Sequence, residues 1–279
     1  MSPIIRKILT PLLLVASLIV LAWNYQALVG SDQSVNRDDT IQDSVYIVSN
    51  VRIAEAYRMM NMDALSNARA FVESHLARHR EDYLLLYYRA LADYHIGFIH
   101  YLRTETRQKA SPYFDSAIAF LEESVKRNSA FVETHILLTS VLGFTIGLKP
   151  DEAQSLGMKS ENHLAKAKQM APTNPRLVLV DGISTLYKPA SYGGGREAAI
   201  EKLKDALRLW KTHREPSPTL PDWGCDDTYA WIIRVYLSAE QLVEAEHYIR
   251  EALTVNPENY YVREVLLPRL ETRQKARRD

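Results

Sequence analysis

The first thirty residues form the most apolar part of the chain. Arg6 and Lys7 precede an uncharged, apolar-rich run over residues 8–23, and no charged residue follows until Asp32. This pattern is typical of an export signal or a membrane anchor. The run is long for a cleaved signal and slightly shorter than the roughly 20 residues that span a bilayer, so its length does not separate the two.

Two details near the end of this run favour an uncleaved single-span anchor over a cleaved signal. No Ala-x-Ala cleavage motif follows it, and Trp23 and Tyr25 stand where aromatic side chains collect at a membrane surface. The two preceding cations are expected to stay in the cytoplasm, which places the remaining chain on the far side. We therefore expect an exported, extracytoplasmic or periplasmic protein with residues 1–30 as signal or anchor. A buried N-terminal helix of a cytosolic protein is the remaining alternative.

A polar linker and then a long helical region are predicted after this segment. Residues 31–44 are polar and lack aromatic side chains, as expected between a membrane and a domain. From Val45 onward apolar residues recur at helical spacing almost throughout. The pattern therefore predicts one helical domain over residues 45–279.

The clearest unit of this domain is a helix pair within residues 229–257. Its first helix presents large apolar residues on one face, at Tyr229, Ile232, Ile233 and Tyr236. Its second helix presents smaller residues, at Ala245, Ile249 and Ala252, and ends before Pro257. The alanines allow the second helix to approach the first closely.

The spacing of the second helix returns upstream in weaker form. It is found at Ala117, Leu121 and Ser124, at Ser160, Leu164 and Ala167, at Ala199, Leu203 and Ala206, and degenerately at Ala68, Val72 and His75. First helices are predicted at about 45–61, 83–101, 131–147 and 176–187, with Gly182 as a close-packing point in the last. The pattern resembles the tetratricopeptide repeat (TPR) over about 45–260. The resemblance implies an all-α, TPR-like α-solenoid of about five helix pairs, followed by a C-terminal end helix over 258–278.

The repeats are longer than the 34 residues of a regular tetratricopeptide repeat. Corresponding points at 75, 124, 167, 206 and 252 are separated by 49, 43, 39 and 46 residues. Insertions are therefore expected, and turn residues place them at 102–112, 145–155, 188–195 and 211–222. HEAT-type repeats have periods of about this length and remain an alternative.

Composition excludes several function classes. Lys and Arg together number 34, as do Asp and Glu, so the formal charge is zero. A chain without excess positive charge is not expected to bind nucleic acid. The single cysteine excludes an intramolecular disulfide and a multi-cysteine metal site.

No motif predicts catalysis, a cofactor or a metal site. His75 and His79 lie one helical turn apart, but two ligands without a third do not form a zinc site. The amides of residues 193–195, all glycines before a helix, could hold an anion, although a flexible turn is the simpler interpretation. Asp226 and Asp227 follow Cys225 and are expected to raise the pKa of its thiol, which disfavours a nucleophile. We expect no enzyme activity.

The resemblance also indicates where a partner would bind. In tetratricopeptide solenoids the exposed side of the first helices lines a concave groove, which here comprises Tyr87, Leu91, Tyr94, Ile136, Ser140, Leu179, Ile183, Leu186, Ala230, Arg234 and Leu237. Because these side chains are mainly apolar, the groove is expected either to bind a hydrophobic partner segment or to be filled by the chain's own insertions. The carboxylate clamp of the family is not expected, since Tyr87, Ile136, Leu179 and Ala230 occupy its places.

These features predict a non-enzymatic scaffold or adaptor of the cell envelope that binds a protein or peptide through a concave groove. The alternative is a small-molecule-binding accessory component of a TRAP-type solute transporter. The chain resembles the periplasmic tetratricopeptide partner of such transporters, but it lacks the lipidation cysteine that is typical of that family.

Overall fold

Helices build the part of the chain that the structure describes. The computed structural model describes residues 37–278, in which eleven α-helices and no strand are present. The chain divides into two compact units, Met1–Ile41 and Gln42–Asp279, and the fold that follows is that of the second. The expected membrane segment at 8–23 lies outside the described residues. Between 37 and 278, no helix is long and apolar enough to cross a membrane.

Five consecutive helix pairs and an end helix make up this fold. The helices are α1 (Arg37–Arg58), α2 (Met62–Leu76), α3 (Tyr83–Tyr101), α4 (Ser111–Arg127), α5 (Val132–Ile146), α6 (Ala153–Met170), α7 (Pro175–Tyr187), α8 (Arg196–Trp210), α9 (Cys225–Ser238), α10 (Leu242–Val255) and α11 (Leu267–Ala276). Each odd-numbered helix from α3 to α9 packs against the next helix, and α11 packs on the last pair. The first two helices are in contact through Arg52 of α1, whose guanidinium carbon lies 4.4 Å from the ring centroid of Phe71 on α2. The predicted all-α solenoid with TPR-like helical repeats is confirmed.

Polar caps define where several first helices begin. The side chain of Asp82 accepts hydrogen bonds from the amides of Leu84 and Leu85 at 2.9 and 3.0 Å, which starts α3. Asn174 caps α7 in the same way. The start of α1 differs from the expectation, because residues 37–44, assigned above to a polar linker, are helical.

Small residues form the seams between paired helices, as the repeat pattern predicts. Ala117, Ala167, Ala206 and Ala245 are fully buried. A Cβ atom at Gly182 would lie 3.0 Å from Cδ2 of Leu203 on α8, so a larger residue would have to displace that side chain or separate α7 from α8. The close-packing role predicted for Gly182 is confirmed.

The connections that lengthen the repeats lie near the predicted places. A 3₁₀-helix, Thr104–Ala110, occupies the first, and shorter turns link α5 to α6 and α7 to α8. The longest connection runs over residues 211–224 between α8 and α9 and is called the inserted segment below.

The C-terminal end of the solenoid is closed by a widened turn and a short helix. Val262–Leu266 forms one π-helical turn, and Pro268, which lacks an amide donor, follows at the start of α11. Val262, Leu266 and Leu270 are buried, whereas most of the remaining side chains of α11 are polar, and none of them is buried. The expected polar end helix is therefore present.

Candidate functional site

The inserted segment fills the concave face of the solenoid. Its residue Trp223 is 7% exposed, and its Nε1 donates a hydrogen bond to Oη of Tyr87 at 2.9 Å. The ring of Trp223 also lies 6.3 Å from the ring of Tyr94. Tyr87 and Tyr94 were both predicted to line the groove, and here they contact the chain's own inserted segment.

The backbone of the inserted segment is held by side chains of α1 and α3. The hydroxyl of Tyr88 donates to the carbonyl of Thr219 at 2.6 Å. The side-chain amide of Asn50 donates to the carbonyl of Leu220 at 2.6 Å and accepts from the backbone N–H of Asp222 at 2.9 Å. These contacts join residues more than a hundred positions apart in the sequence.

A buried guanidinium fixes the second half of the segment. Arg176 is 1% exposed, and its Nε and Nη2 donate to the two carboxylate oxygens of Glu133 at 2.7 and 3.0 Å. Its Nη1 donates to the carbonyl of Pro221 at 3.1 Å, and Nη2 pairs with Glu215 at 2.7 Å. Burial lowers the pKa of Arg176, but the Glu133 carboxylate outweighs burial and raises that pKa overall, so the guanidinium stays charged.

Most of the residues predicted to line the groove are buried. Nine of its eleven residues are buried, namely Tyr87, Leu91, Tyr94, Ile136, Ser140, Leu179, Ile183, Ala230 and Leu237. Leu186 and Arg234 are half-buried. Of the two outcomes expected from an apolar groove, the structure shows the one in which the chain fills it, because the apolar first-helix faces pack against the inserted segment and neighbouring helices.

One recess remains beside the filled face, with a volume of about 480 Å³. It lies between α1, α3, α9 and the C-terminal end of α10, and is called the α9 pocket below. Its walls are Ala54, Tyr57, Arg58, Met60, Phe98, Leu102, Asp222, Trp223, Gly224, Cys225, Asp226, Asp227, Ala230, Trp231, Arg234, Val255, Asn256, Glu258, Asn259 and Tyr261. Ala230 and Arg234 belong to the predicted groove, whereas the other residues of this wall were not predicted to bind a partner.

Carboxylates dominate one end of the α9 pocket. The hydroxyl of Tyr57 donates to Oδ1 of Asp227 at 2.5 Å. Nη2 of Arg58 pairs with Oδ2 of Asp222 at 2.5 Å, and its Nε lies 3.9 Å from Oδ2 of Asp226. Arg58 therefore contacts two of the three carboxylates, and the third, Asp227, accepts its hydrogen bond from Tyr57.

Burial and repulsion among these carboxylates shift their titration. Burial raises the pKa of Asp227 to about 6, with Asp226 adding to the rise and the Tyr57 hydrogen bond opposing it. Burial also raises the pKa of Asp226. The Cys225 thiol has its pKa raised to about 12, first by burial and then by Asp226 and Asp227. The expected rise for Cys225 is confirmed, although burial rather than charge is its largest cause.

A neutral histidine lies behind this end of the pocket. The ring of His95 stacks on Tyr57 with centroids 3.7 Å apart, and burial lowers the pKa of His95 to about 3. Neither ring nitrogen forms a hydrogen bond with a described residue. The His95 ring is therefore uncharged at neutral pH and packs against the Tyr57 ring.

The opposite end of the pocket is positive. The guanidinium carbon of Arg234 lies 4.2 Å from the ring centroid of Trp231, a cation–π contact. Among the described residues Arg234 has no ion pair. A half-buried, unpaired guanidinium next to a recess is suited to hold a negatively charged group.

The other residues considered from the sequence form no site. The amides of Gly193, Gly194 and Gly195 donate to backbone carbonyls of the same turn and of α7, at 3.0 to 3.1 Å. They are therefore not free to cradle an anion. His75 bonds the carbonyl of Phe71 through Nδ1 at 2.9 Å. Over residues 37–278 no group of three metal-ligating side chains comes together.

Comparison with known proteins relates the fold to two solved structures. The HusA haemophore from Porphyromonas gingivalis is 20% identical, with a TM-score of 0.56 over 73% of this chain and 94% of that one. A thermophilic TPR protein from Thermus thermophilus is 19% identical, with a TM-score of 0.57 over 80% of this chain and 97% of that one. No known family and no curated protein matches the sequence. At these identities the similarity concerns the fold.

Proposed function

We propose that the chain is a non-enzymatic scaffold of the cell envelope that binds a protein or peptide partner through the α9 pocket. The observation that carries this proposal is the way in which the concave face is occupied. The inserted segment contacts Tyr87 and Tyr94 of the predicted groove, and a recess remains at the last helix pair, where Arg234 has no ion pair with a described residue. TPR-like solenoids commonly bind partner segments on this face, so the remaining recess is the natural contact.

The size of the pocket limits what it binds. A volume of about 480 Å³ falls within the range of about 300–1,000 Å³ that is usual for ligand sites. That space accepts a few side chains and not a whole helix. The partner therefore contributes a short segment or loop, and the contact is specific rather than extensive.

The proposal includes an anchored position outside the cytoplasm. Support comes from the apolar run over residues 8–23 and the two cations that precede it. Protease treatment of intact spheroplasts tests this point. Digestion of the helical domain with retention of an N-terminal fragment in the membrane is the expected result, whereas full protection of the domain would contradict it.

Site-specific photocrosslinking in native membranes tests the binding site. Two valines of α10 form a matched pair, because Val255 lines the pocket and is 59% exposed, while Val243 lies at the other end of the helix and is 79% exposed. A crosslinker at Val255 should capture one protein, and Arg234→Ala should abolish that product. A crosslinker at Val243 should not capture it. Equal capture from both positions, or insensitivity to Arg234→Ala, would contradict the proposal.

A second candidate function is the binding of a small molecule in the same pocket. The fold similarity to a protein named a haemophore, together with the pocket volume, favours it. Native mass spectrometry of the full chain from its own membranes distinguishes the two. A stoichiometric non-peptide ligand that is lost in Arg234→Ala would favour the small-molecule function over the scaffold.

A further inference from the structure

The two charged ends of the α9 pocket are carried by one face of one helix. Asp227 and Arg234 are seven residues apart on α9, which is two helical turns and about 10 Å along the axis. Ala230 and Trp231 lie between them on the same face and also line the pocket. The recess is therefore negative at one end, apolar in the middle and positive at the other end.

The negative end has both excess charge and an unsatisfied polar group. Asp222, Asp226 and Asp227 face the single cation of Arg58. Asn259, which also lines the pocket, is 4% exposed, and its Nδ2 forms no hydrogen bond with a described residue. A free amide donor beside surplus carboxylates suits a ligand with a carbonyl oxygen and a cationic group.

At the positive end of the pocket, the guanidinium groups lack carboxylate partners. Arg107 stacks on Tyr101 with its guanidinium carbon 4.8 Å from the ring centroid, as Arg234 stacks on Trp231. Neither arginine forms an ion pair with a described carboxylate. A carboxylate from a partner would find the Arg234 guanidinium there without a competing ion pair.

The middle of the pocket is aromatic. Phe98 and Trp231 are 4% and 3% exposed, and Trp223 completes the wall from the inserted segment. Apolar side chains of a ligand gain about 25 cal/mol per Å² of surface that they bury there. The middle of the pocket therefore favours apolar residues between the two charged groups.

We propose that the α9 pocket binds an extended peptide segment with a basic residue and an acidic residue three positions apart and apolar residues between them. This inference rests on the proposed function and names the chemistry of its partner. An extended polyproline II segment has three residues per turn and rises about 3.1 Å per residue, so side chains three positions apart project from the same face about 9 Å apart, close to the roughly 10 Å between the charged ends. The basic residue lies against Asp222 and Asp226, and the acidic residue against Arg234.

Arg58 does not block the basic residue. Its ion pair with Asp222 is solvent-exposed, at 39% and 62% of the two side chains. Exposed ion pairs contribute little to stability, so the guanidinium moves at low cost. Its displacement lets an incoming cation contact both Asp222 and Asp226.

Defined peptides test this inference with the full chain in detergent micelles. Fluorescence anisotropy would compare a labelled Lys-Leu-Leu-Glu peptide, with blocked termini, against Lys-Leu-Leu-Lys and Glu-Leu-Leu-Glu. The dipolar peptide is expected to bind about tenfold more tightly than either single-sign peptide, since each charge-assisted contact is of that order. Equal binding of the three peptides, or binding of none, would overturn the inference.

A charge swap makes the test specific to the pocket. Arg234→Glu should weaken Lys-Leu-Leu-Glu and strengthen Lys-Leu-Leu-Lys, which reverses the preference. Arg250→Glu, at a 71% exposed arginine of α10 outside the pocket, is the matched control and should leave the preference unchanged. Circular dichroism confirms that each variant is folded, and Arg234→Gln, which removes the charge without inverting it, serves if the glutamate variant unfolds.

The outcome separates this inference from the proposed function. If Val255 crosslinks a partner in an Arg234-dependent manner but the peptides show no charge preference, the scaffold function stands and the dipolar specificity is wrong. If neither the crosslink nor the peptide preference depends on Arg234, both proposals fail.

Discussion

Arg176 is the residue on which the filled concave face depends most. Replacing it by alanine removes the bidentate pair with Glu133, the bond to the Pro221 carbonyl and the pair with Glu215. Glu133 is 4% exposed and would be left with Asn174 as a partner, at 2.7 Å. The substitution therefore strands a buried carboxylate and releases the inserted segment at the same time.

The expected loss follows from the cost of an unpaired buried charge. Breaking a buried ion pair from one side costs about 3–5 kcal/mol. The freed Pro221 carbonyl adds about 1 kcal/mol if it remains buried. Against a total stability of about 5–15 kcal/mol, Arg176→Ala should leave the domain marginally stable.

Equilibrium urea unfolding, followed by circular dichroism on the full chain in detergent, measures this loss. Lys126→Ala is the matched control, because Lys126 pairs with Glu123 at 3.0 Å but is 71% exposed. Its removal should change the free energy of unfolding by less than about 1 kcal/mol. If Arg176→Ala also lowers the free energy of unfolding by less than about 1 kcal/mol, Arg176 does not hold the inserted segment in place as described.

A double variant separates charge from packing. Replacing Arg176 and Glu133 together by methionine removes both charges and approximately keeps the volume. Buried ion pairs replaced in this way are often neutral or more stable by about 1–4 kcal/mol. Recovery of stability relative to Arg176→Ala would show that the stranded carboxylate, and not a cavity, caused the loss.

Further predictions concern packing, pH and the division between core and site. Gly182→Val should lower the free energy of unfolding by about 1–3 kcal/mol, because the added Cβ would lie 3.0 Å from a neighbouring side chain. Gly157→Val is the control, because a Cβ there would have nothing within 4 Å, and this variant should unfold at nearly the wild-type temperature. Burial raises the pKa of Asp227 from 3.8 to about 6, so between about pH 4 and 6 the folded state binds a proton that the unfolded state has released. The melting temperature should therefore fall as pH rises from about 4 to 6. Asp227→Asn should reduce this dependence of the melting temperature on pH. Tyr87→Ala should cost about 3–5 kcal/mol in urea unfolding, whereas Arg234→Ala should lose partner crosslinking with little change in stability; equal destabilisation by both would place Arg234 in the core.

Local sequence signals predicted the helices well where caps and apolar periodicity coincide. The bounds of α3 match the expected 83–101, because Asp82 caps the helix and an apolar run follows at once. The first turns of α1 were missed for the opposite reason. Ile41 is the one apolar residue between positions 37 and 44, and it is exposed, so no apolar period marks this stretch as helical.

The surface against which the inserted segment packs could not be predicted from the local sequence. Its place between α8 and α9 follows from turn residues, but its packing rests on contacts such as Trp223 with Tyr87, 136 residues apart. The pair of Arg176 with Glu133 has no sequence signal either, since ordinary charged residues at these positions are usually solvated. The α9 pocket arises from what the segment leaves uncovered, and was therefore predicted only at Ala230 and Arg234.

The bonds between the first and last helix pairs also change how the domain should unfold. In a linear repeat array each unit contacts only its neighbours, and the end units fray independently. Here the hydroxyl of Tyr57 on α1 donates a hydrogen bond to Asp227 on α9 at 2.5 Å, so the first and last helix pairs are joined directly. Loss of either end exposes the other, which predicts a single cooperative transition. The same contact is expected to slow folding, because it joins two residues that are 170 positions apart in the sequence.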